Sequence, residues 1–76
     1  MLKEVKSVYF SGINGIGMSG LAKILCKQGY TVYGSDLEIK PVTEDMQEMG
    51  IKVYIGQKEE NLSDKKIDLF VYSTAI

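Results

Sequence analysis

The sequence predicts an α/β protein, a Rossmann-like doubly wound parallel sheet with strand order 3-2-1-4 and helices on both faces. Three observations carry this. Short β-branched and aromatic runs alternate with stretches whose apolar residues recur at helical spacing. A glycine-rich turn, "SGINGIG", joins the first strand-like run to the first helical stretch. An acid, Asp36, follows about twenty residues after that turn, just past the second run, where dinucleotide-type sheets place one.

Each element can be justified in order. "SVYFS", Ser7 to Ser11, is rich in β-branched and aromatic residues and reads as a strand. From Met18 the period changes: Met18, Leu21, Ala22, Leu25 and Cys26 form one face of an amphipathic helix that Gly29 ends. "YTVYGSD", Tyr30 to Asp36, is strand-like again. Pro41 suits a helix start, because its missing N–H costs nothing in a first turn. Val42, Met46 and Met49 then make a sparser apolar stripe that stops at Gly50. "IKVYIG" predicts a third strand, and "KEENLSDKK" a polar loop with a helical turn at Glu59 to Leu62. "IDLFVYS", Ile67 to Ser73, is a nearly continuous apolar run, the pattern of a strand covered on both faces. We expect the 76 residues to be one domain, 1–76, and a piece of a longer one, since the last strand lies directly before Ile76.

Composition narrows the chemistry. A net charge of −1, with lysines scattered among acids, provides no basic face for nucleic acid. No apolar run is long enough to predict a membrane span and no leader is recognisable, so a cytoplasmic setting is expected. The single cysteine, Cys26, excludes an internal disulfide and reads as a small core residue. Histidine is absent, and with it Ser-His and Cys-His chemistry; no metal site or catalytic group is predicted. The phosphate-binding motif G-x-x-x-x-G-K-[ST] is also missing, which argues against phosphoryl transfer by this segment.

The glycine turn is the main functional signal. A bare strand-to-helix turn reverses tightly, admits a ligand close to the backbone and aims unpaired helix N–H groups at it; a diphosphate is the natural occupant. The fingerprint is imperfect. Counting from Gly12, Asn14 takes the second glycine position, Gly17 the third, and Gly15 is extra. Asparagine tolerates positive φ, but its side chain is expected to crowd the approach. The glycines also have a plain packing explanation. Asp36 either accepts ribose hydroxyls or caps the turn in "GSDLE", with Ser35 as a lesser donor. Ser73 and Thr74, at the end of the fourth strand, either contact a base or sugar or simply end the strand.

"FSGINGIGMSGLAKIL", "GYTVYGSD", "PVTEDMQEMGIKVYIGQKEENL" and "VYSTAI" together resemble the amino-terminal domain of the Mur ligase family of peptidoglycan synthesis, over about Val8 to Ile76. The similarity is to members that add L-alanine to UDP-N-acetylmuramate. It implies a three-domain ligase whose first domain binds the UDP moiety, while ATP and magnesium bind elsewhere. An acyl phosphate forms on the muramoyl carboxylate and the amine of L-alanine attacks it. Carried onto this chain, Gly12, Ile13, Asn14, Gly15 and Gly17 would face the diphosphate, with Met18 and Ser19 opening the helix behind. Asp36 would lie near the ribose, and Ser73, Thr74 and Ala75 beside the uracil. Asn14 stands where the family usually has glycine. Two other readings stay open on the residues alone: a nicotinamide-dinucleotide-binding fragment of an oxidoreductase, and a non-catalytic nucleotide-sensing module.

Overall fold

The computed structural model describes residues 5–56 and 66–72. In chain order the elements are β1 (Ser7–Ser11), α1 (Ile16–Lys27), β2 (Thr31–Asp36), α2 (Pro41–Glu48), β3 (Lys52–Ile55) and β4 (Leu69–Tyr72). All pairings are parallel and the order is β3-β2-β1-β4, as the alternation of strands and helices predicts. The helical turn expected at Glu59 to Leu62 lies outside the described residues.

Both described helices pack on one face of the sheet. Val8 and Phe10 of β1 and Val32 of β2 meet Ala22 of α1 and Met46 of α2 in one cluster, with Ile13 and Ile51. Residues 57–65, between β3 and β4 in the chain, lie outside the described residues, so the expectation of helices on both faces is met here for the face that α1 and α2 share. The physical reason is direction: β1→β2→β3 steps the same way twice, and two right-handed crossovers in one direction fall on the same side. The other face carries alternate residues of the same strands. There Tyr9 packs against Phe70, with ring centroids 6.0 Å apart, and Phe70 stacks on Tyr72 at 6.3 Å. β4 is the outermost strand of the order, and Tyr72 remains 65% exposed. Among the described residues Leu69 and Phe70 of β4 are also exposed, where the apolar run predicted a strand covered on both faces.

The two helices stop in the same way. In α1 the Gly29 amide donates to the Cys26 carbonyl (3.1 Å) and the Tyr30 amide to Leu25 (3.1 Å), with Gly29 at φ +96°. In α2 the Gly50 amide donates to Gln47 (3.0 Å) and that of Ile51 to Met46 (3.1 Å), with Gly50 at φ +100°. These are two Schellman closures, each using a glycine where only a residue without Cβ adopts the left-handed turn cheaply. Ile51 and Met46 belong to the core cluster, so the second closure also fixes where β3 begins.

The start of the sheet is pinned at the end remote from the glycine turn. The Asp68 carboxylate accepts the Lys6 amide (2.8 Å) and the Ser7 amide (3.1 Å). The Ser7 hydroxyl donates to the Lys66 carbonyl (2.6 Å) and accepts the Asp68 amide (3.1 Å). Stabilised chiefly by the Lys6 and then the Ser7 amide, the Asp68 carboxyl titrates below its ordinary range.

Candidate functional site

The site is built at the carboxyl ends of β1 and β2, beside the point between β1 and β4 where the strand order reverses. The chain leaves β1 at Ser11, and Gly12 takes φ +78°, a left-handed conformation that suits glycine. The Gly12 and Ile13 amides both donate to the Ser35 carbonyl (2.9 and 3.1 Å), prolonging the β1–β2 ladder past the strand. Ile13 then dives into the core, fully buried. It lies over Gly34 of β2: a Cβ at Gly34 would stand 2.3 Å from Ile13 Cδ1 and 2.8 Å from its Cβ. Gly34 is thus bare because the turn presses on it.

From Gly15 the chain becomes helical. The Gly15 amide donates to the Gly12 carbonyl (3.1 Å), and the first helical bond runs from the Ser19 amide to the Gly15 carbonyl (2.7 Å). Ser19 is buried and its hydroxyl donates to the Ile16 carbonyl (3.2 Å). Among the described residues nothing takes up the amides of Ile16, Gly17 and Met18. The N-cap, Gly15, supplies no side chain, and no acid lies in the first turn. Gly15, Ile16 and Gly17 are all exposed. A helix start of this kind carries roughly half a positive charge with three N–H groups directed outward. It has the chemistry of an anion site, and a phosphate oxygen complements it.

The expected site residues therefore divide. Gly17 and Met18 present amides at the mouth, as does Ile16, which the sequence reading did not single out. Gly12, Ile13, Asn14, Gly15 and Ser19 spend their amides within the fold and shape the turn. Asparagine at position 14 does not use positive φ, which among the described residues only glycines adopt. Nor does its side chain crowd the approach to the helix start. It turns toward α2, donating from Nδ2 to the Glu38 carbonyl (2.8 Å) and accepting at Oδ1 from the Thr43 hydroxyl. Two polar partners draw it there.

Asp36, at the end of β2, is brought beside the turn. Its Oδ2 accepts the Asn14 amide (2.8 Å) and its Oδ1 the Leu37 amide (2.8 Å). A carboxylate has about four acceptor positions, so each oxygen keeps capacity for a ribose hydroxyl. Capping and ribose binding, alternatives on the sequence, are compatible in the structure. Ser35 is buried, and its carbonyl anchors the turn. Ser73, Thr74 and Ala75 lie outside the described residues; Tyr72, just before them, pairs with Ser11, just before the turn. Among the described residues, no group of three or more His, Cys, Asp and Glu could hold a metal, and no helix is long and apolar enough to cross a membrane.

Comparison with known proteins agrees with this fold. Residues 7–76 match the sequence model described as the Mur ligase family, catalytic domain. The chain is 48% identical over 75 residues to the UDP-N-acetylmuramate–L-alanine ligase of Clostridium tetani, covering 99% of this chain and 16% of that protein. It is 45% identical over 73 residues to the protein of the same name from Sulfurihydrogenibium, again 16% of its length. Among solved structures, the UDP-N-acetylmuramate-alanine ligase of Thermotoga maritima superposes with TM-score 0.83 at 31% identity, over 92% of this chain and 16% of that one. The UDP-N-acetylmuramate:L-alanyl-γ-D-glutamyl-meso-diaminopimelate ligase of Neisseria meningitides gives TM-score 0.84 at 32% identity, over 95% of this chain and 22% of that one. The chain spans about a sixth of the length of the named alanine ligases. With the 3-2-1-4 parallel sheet, the glycine turn and a family match from residue 7 to residue 76, the chain belongs to the Mur ligase family.

Proposed function

We propose that this chain is the amino-terminal, UDP-binding domain of a ligase that joins L-alanine to UDP-N-acetylmuramate in peptidoglycan synthesis. The observation that carries this is the start of α1: three outward amides on an exposed glycine turn, no acid in the first turn, and an acid at the end of the neighbouring strand. Superposition does not choose among ligases, because an alanine ligase and a murein-tripeptide ligase fit about equally well. The name of the sequence relatives, matched over nearly the whole chain, supports the alanine-adding member.

In this reading the domain holds and does not react. The amides of Ile16, Gly17 and Met18 grip the diphosphate, and Asp36 accepts the ribose hydroxyls. The lactyl carboxylate is thereby presented at a fixed distance, which lowers the entropy cost of the step that follows. The chain has no G-x-x-x-x-G-K-[ST] sequence, and its described residues include no metal-binding cluster. In this reading ATP and magnesium would bind on other segments of the ligase, where they would supply the phosphoryl group and charge neutralisation for carboxylate activation.

The test is an amide NMR titration of the labelled chain with UDP-N-acetylmuramate and, separately, with NAD. Shifts at Ile16, Gly17, Met18 and Asp36 with the UDP-sugar alone are expected. Equal or stronger shifts with NAD would restore the oxidoreductase reading and overturn this one.

A further inference from the structure

Asn14 is held at three points, each by a different segment. Its amide donates to Asp36 Oδ2 (2.8 Å), its side-chain Nδ2 donates to the Glu38 carbonyl (2.8 Å), and its Oδ1 accepts from Thr43. Thr43 lies in the first turn of α2 and is fully buried. Its oxygen also accepts the Lys40 amide (3.0 Å), while the Thr43 amide donates to the Lys40 carbonyl (2.9 Å). A hydroxyl has one proton, and with Lys40 filling an acceptor position that proton goes to Asn14. The orientation of the asparagine follows. Flipped, it would set Oδ1 against the Glu38 carbonyl and leave the Thr43 proton without an acceptor.

This network ties together two groups that the proposed function uses separately. Asn14 is one residue before the turn's helical start, and Asp36 is the ribose acid. In a nucleoside diphosphate the ribose and the phosphates are covalently linked, so a site grips both well only if its own two halves keep a fixed separation. We propose that Asn14 and Thr43 are positioning residues: Thr43 locks Asn14, and Asn14 sets the distance between the amides of α1 and the Asp36 carboxylate. The inference rests on the UDP-binding reading and names what pre-organises that site.

The experiment measures UDP affinity of the chain by amide NMR titration in a double-mutant cycle of Thr43→Val and Asp36→Asn. Thr43→Ser serves as the conservative variant, and circular dichroism melting verifies folding of each. If Thr43 acts through Asp36, each single change weakens UDP about tenfold and the double change little more than either, because the second loss removes a contact already misplaced. Thr43→Ser keeps the hydroxyl and restores affinity to within about threefold. Additive losses, about a hundredfold in the double variant, would show that Thr43 does not act through the acid and would overturn the proposal. So would a folded Thr43→Val, or a folded Thr43→Ala if Val unfolds, whose UDP affinity and Asp36 shifts match wild type. Failure of wild type to shift at Gly17 with UDP is a different result: it removes the binding reading itself, and the positioning role with it.

Discussion

Substitution of Gly34 by alanine is the sharpest test of how the glycine turn is held. An ideal Cβ at position 34 would stand 2.3 Å from Ile13 Cδ1, 3.0 Å from Cγ1 and 2.8 Å from Cβ. Carbon atoms in contact sit about 3.5–4.0 Å apart. Rotating the isoleucine relieves the first two approaches and leaves the third, because Cβ is attached to the backbone. Ile13 must then retreat by about 0.7 Å at least. It cannot retreat alone, since the Gly12 and Ile13 amides are both bonded to the Ser35 carbonyl. Overpacking of this kind costs about 2 kcal/mol. In a domain of this size that lowers Tm by about 10 °C. Circular dichroism melting of wild type and Gly34→Ala measures it, and the amide shifts of Gly12 to Met18 report the displaced turn. A Tm within about 2 °C of wild type, with Ile13 methyl resonances unmoved, would refute the claim that the turn is pressed onto β2.

Two further predictions separate binding from folding. At Gly17 an added Cβ meets nothing within 4 Å, and the residue lies in the first turn of α1. Gly17→Ala should therefore hold or raise stability, by up to about 0.5–1 kcal/mol. Its Cβ tilts toward the helix start, where the proposed function places the diphosphate, so UDP affinity should fall at least about tenfold; a variant that is both destabilised and unimpaired in binding contradicts the reading. At the other end of the sheet, the depressed titration of Asp68 means that its carboxylate stabilises the folded chain above the ordinary carboxyl pKa. That stabilisation is lost as pH falls below about 4 and through the folded-state value. Denaturant titrations at neutral pH and near pH 3 should show the gap between wild type and Asp68→Asn closing in acid, with UDP binding at neutral pH unchanged. A gap independent of pH would show that the contacts of Asp68 do not depend on its charge.

Much of this architecture was legible in the chain because it is written in local periodicity and local chemistry. The change from period two to the spacing of Met18, Leu21, Ala22 and Leu25 locates β1 and α1. Gly29 and Gly50 mark where left-handed residues close the helices, and Pro41 opens α2. These are decisions each segment makes with its neighbours in sequence. The glycine turn and Asp36 were also readable, because strand-to-helix spacing brings them to the same edge in any sheet of this topology.

What tertiary structure alone decided concerns pairs far apart in the chain. Nothing near Gly34 in sequence says that Ile13 will lie across it, and nothing near Asn14 points to Thr43, 29 residues on. The family resemblance implied that Gly12, Ile13, Asn14, Gly15 and Gly17 face the diphosphate. Packing instead commits most of their amides to Ser35, Gly12 and Asp36, and leaves the mouth to Ile16, Gly17 and Met18. The apolar run of β4 likewise suggested burial on both faces, whereas among the described residues Tyr72 is exposed. Sequence by itself determined the elements, their order and the chemistry of the turn, since those depend on neighbours along the chain. Only the fold decided which polar groups remain for a ligand, because a hydrogen bond once made across the core is no longer available at the surface.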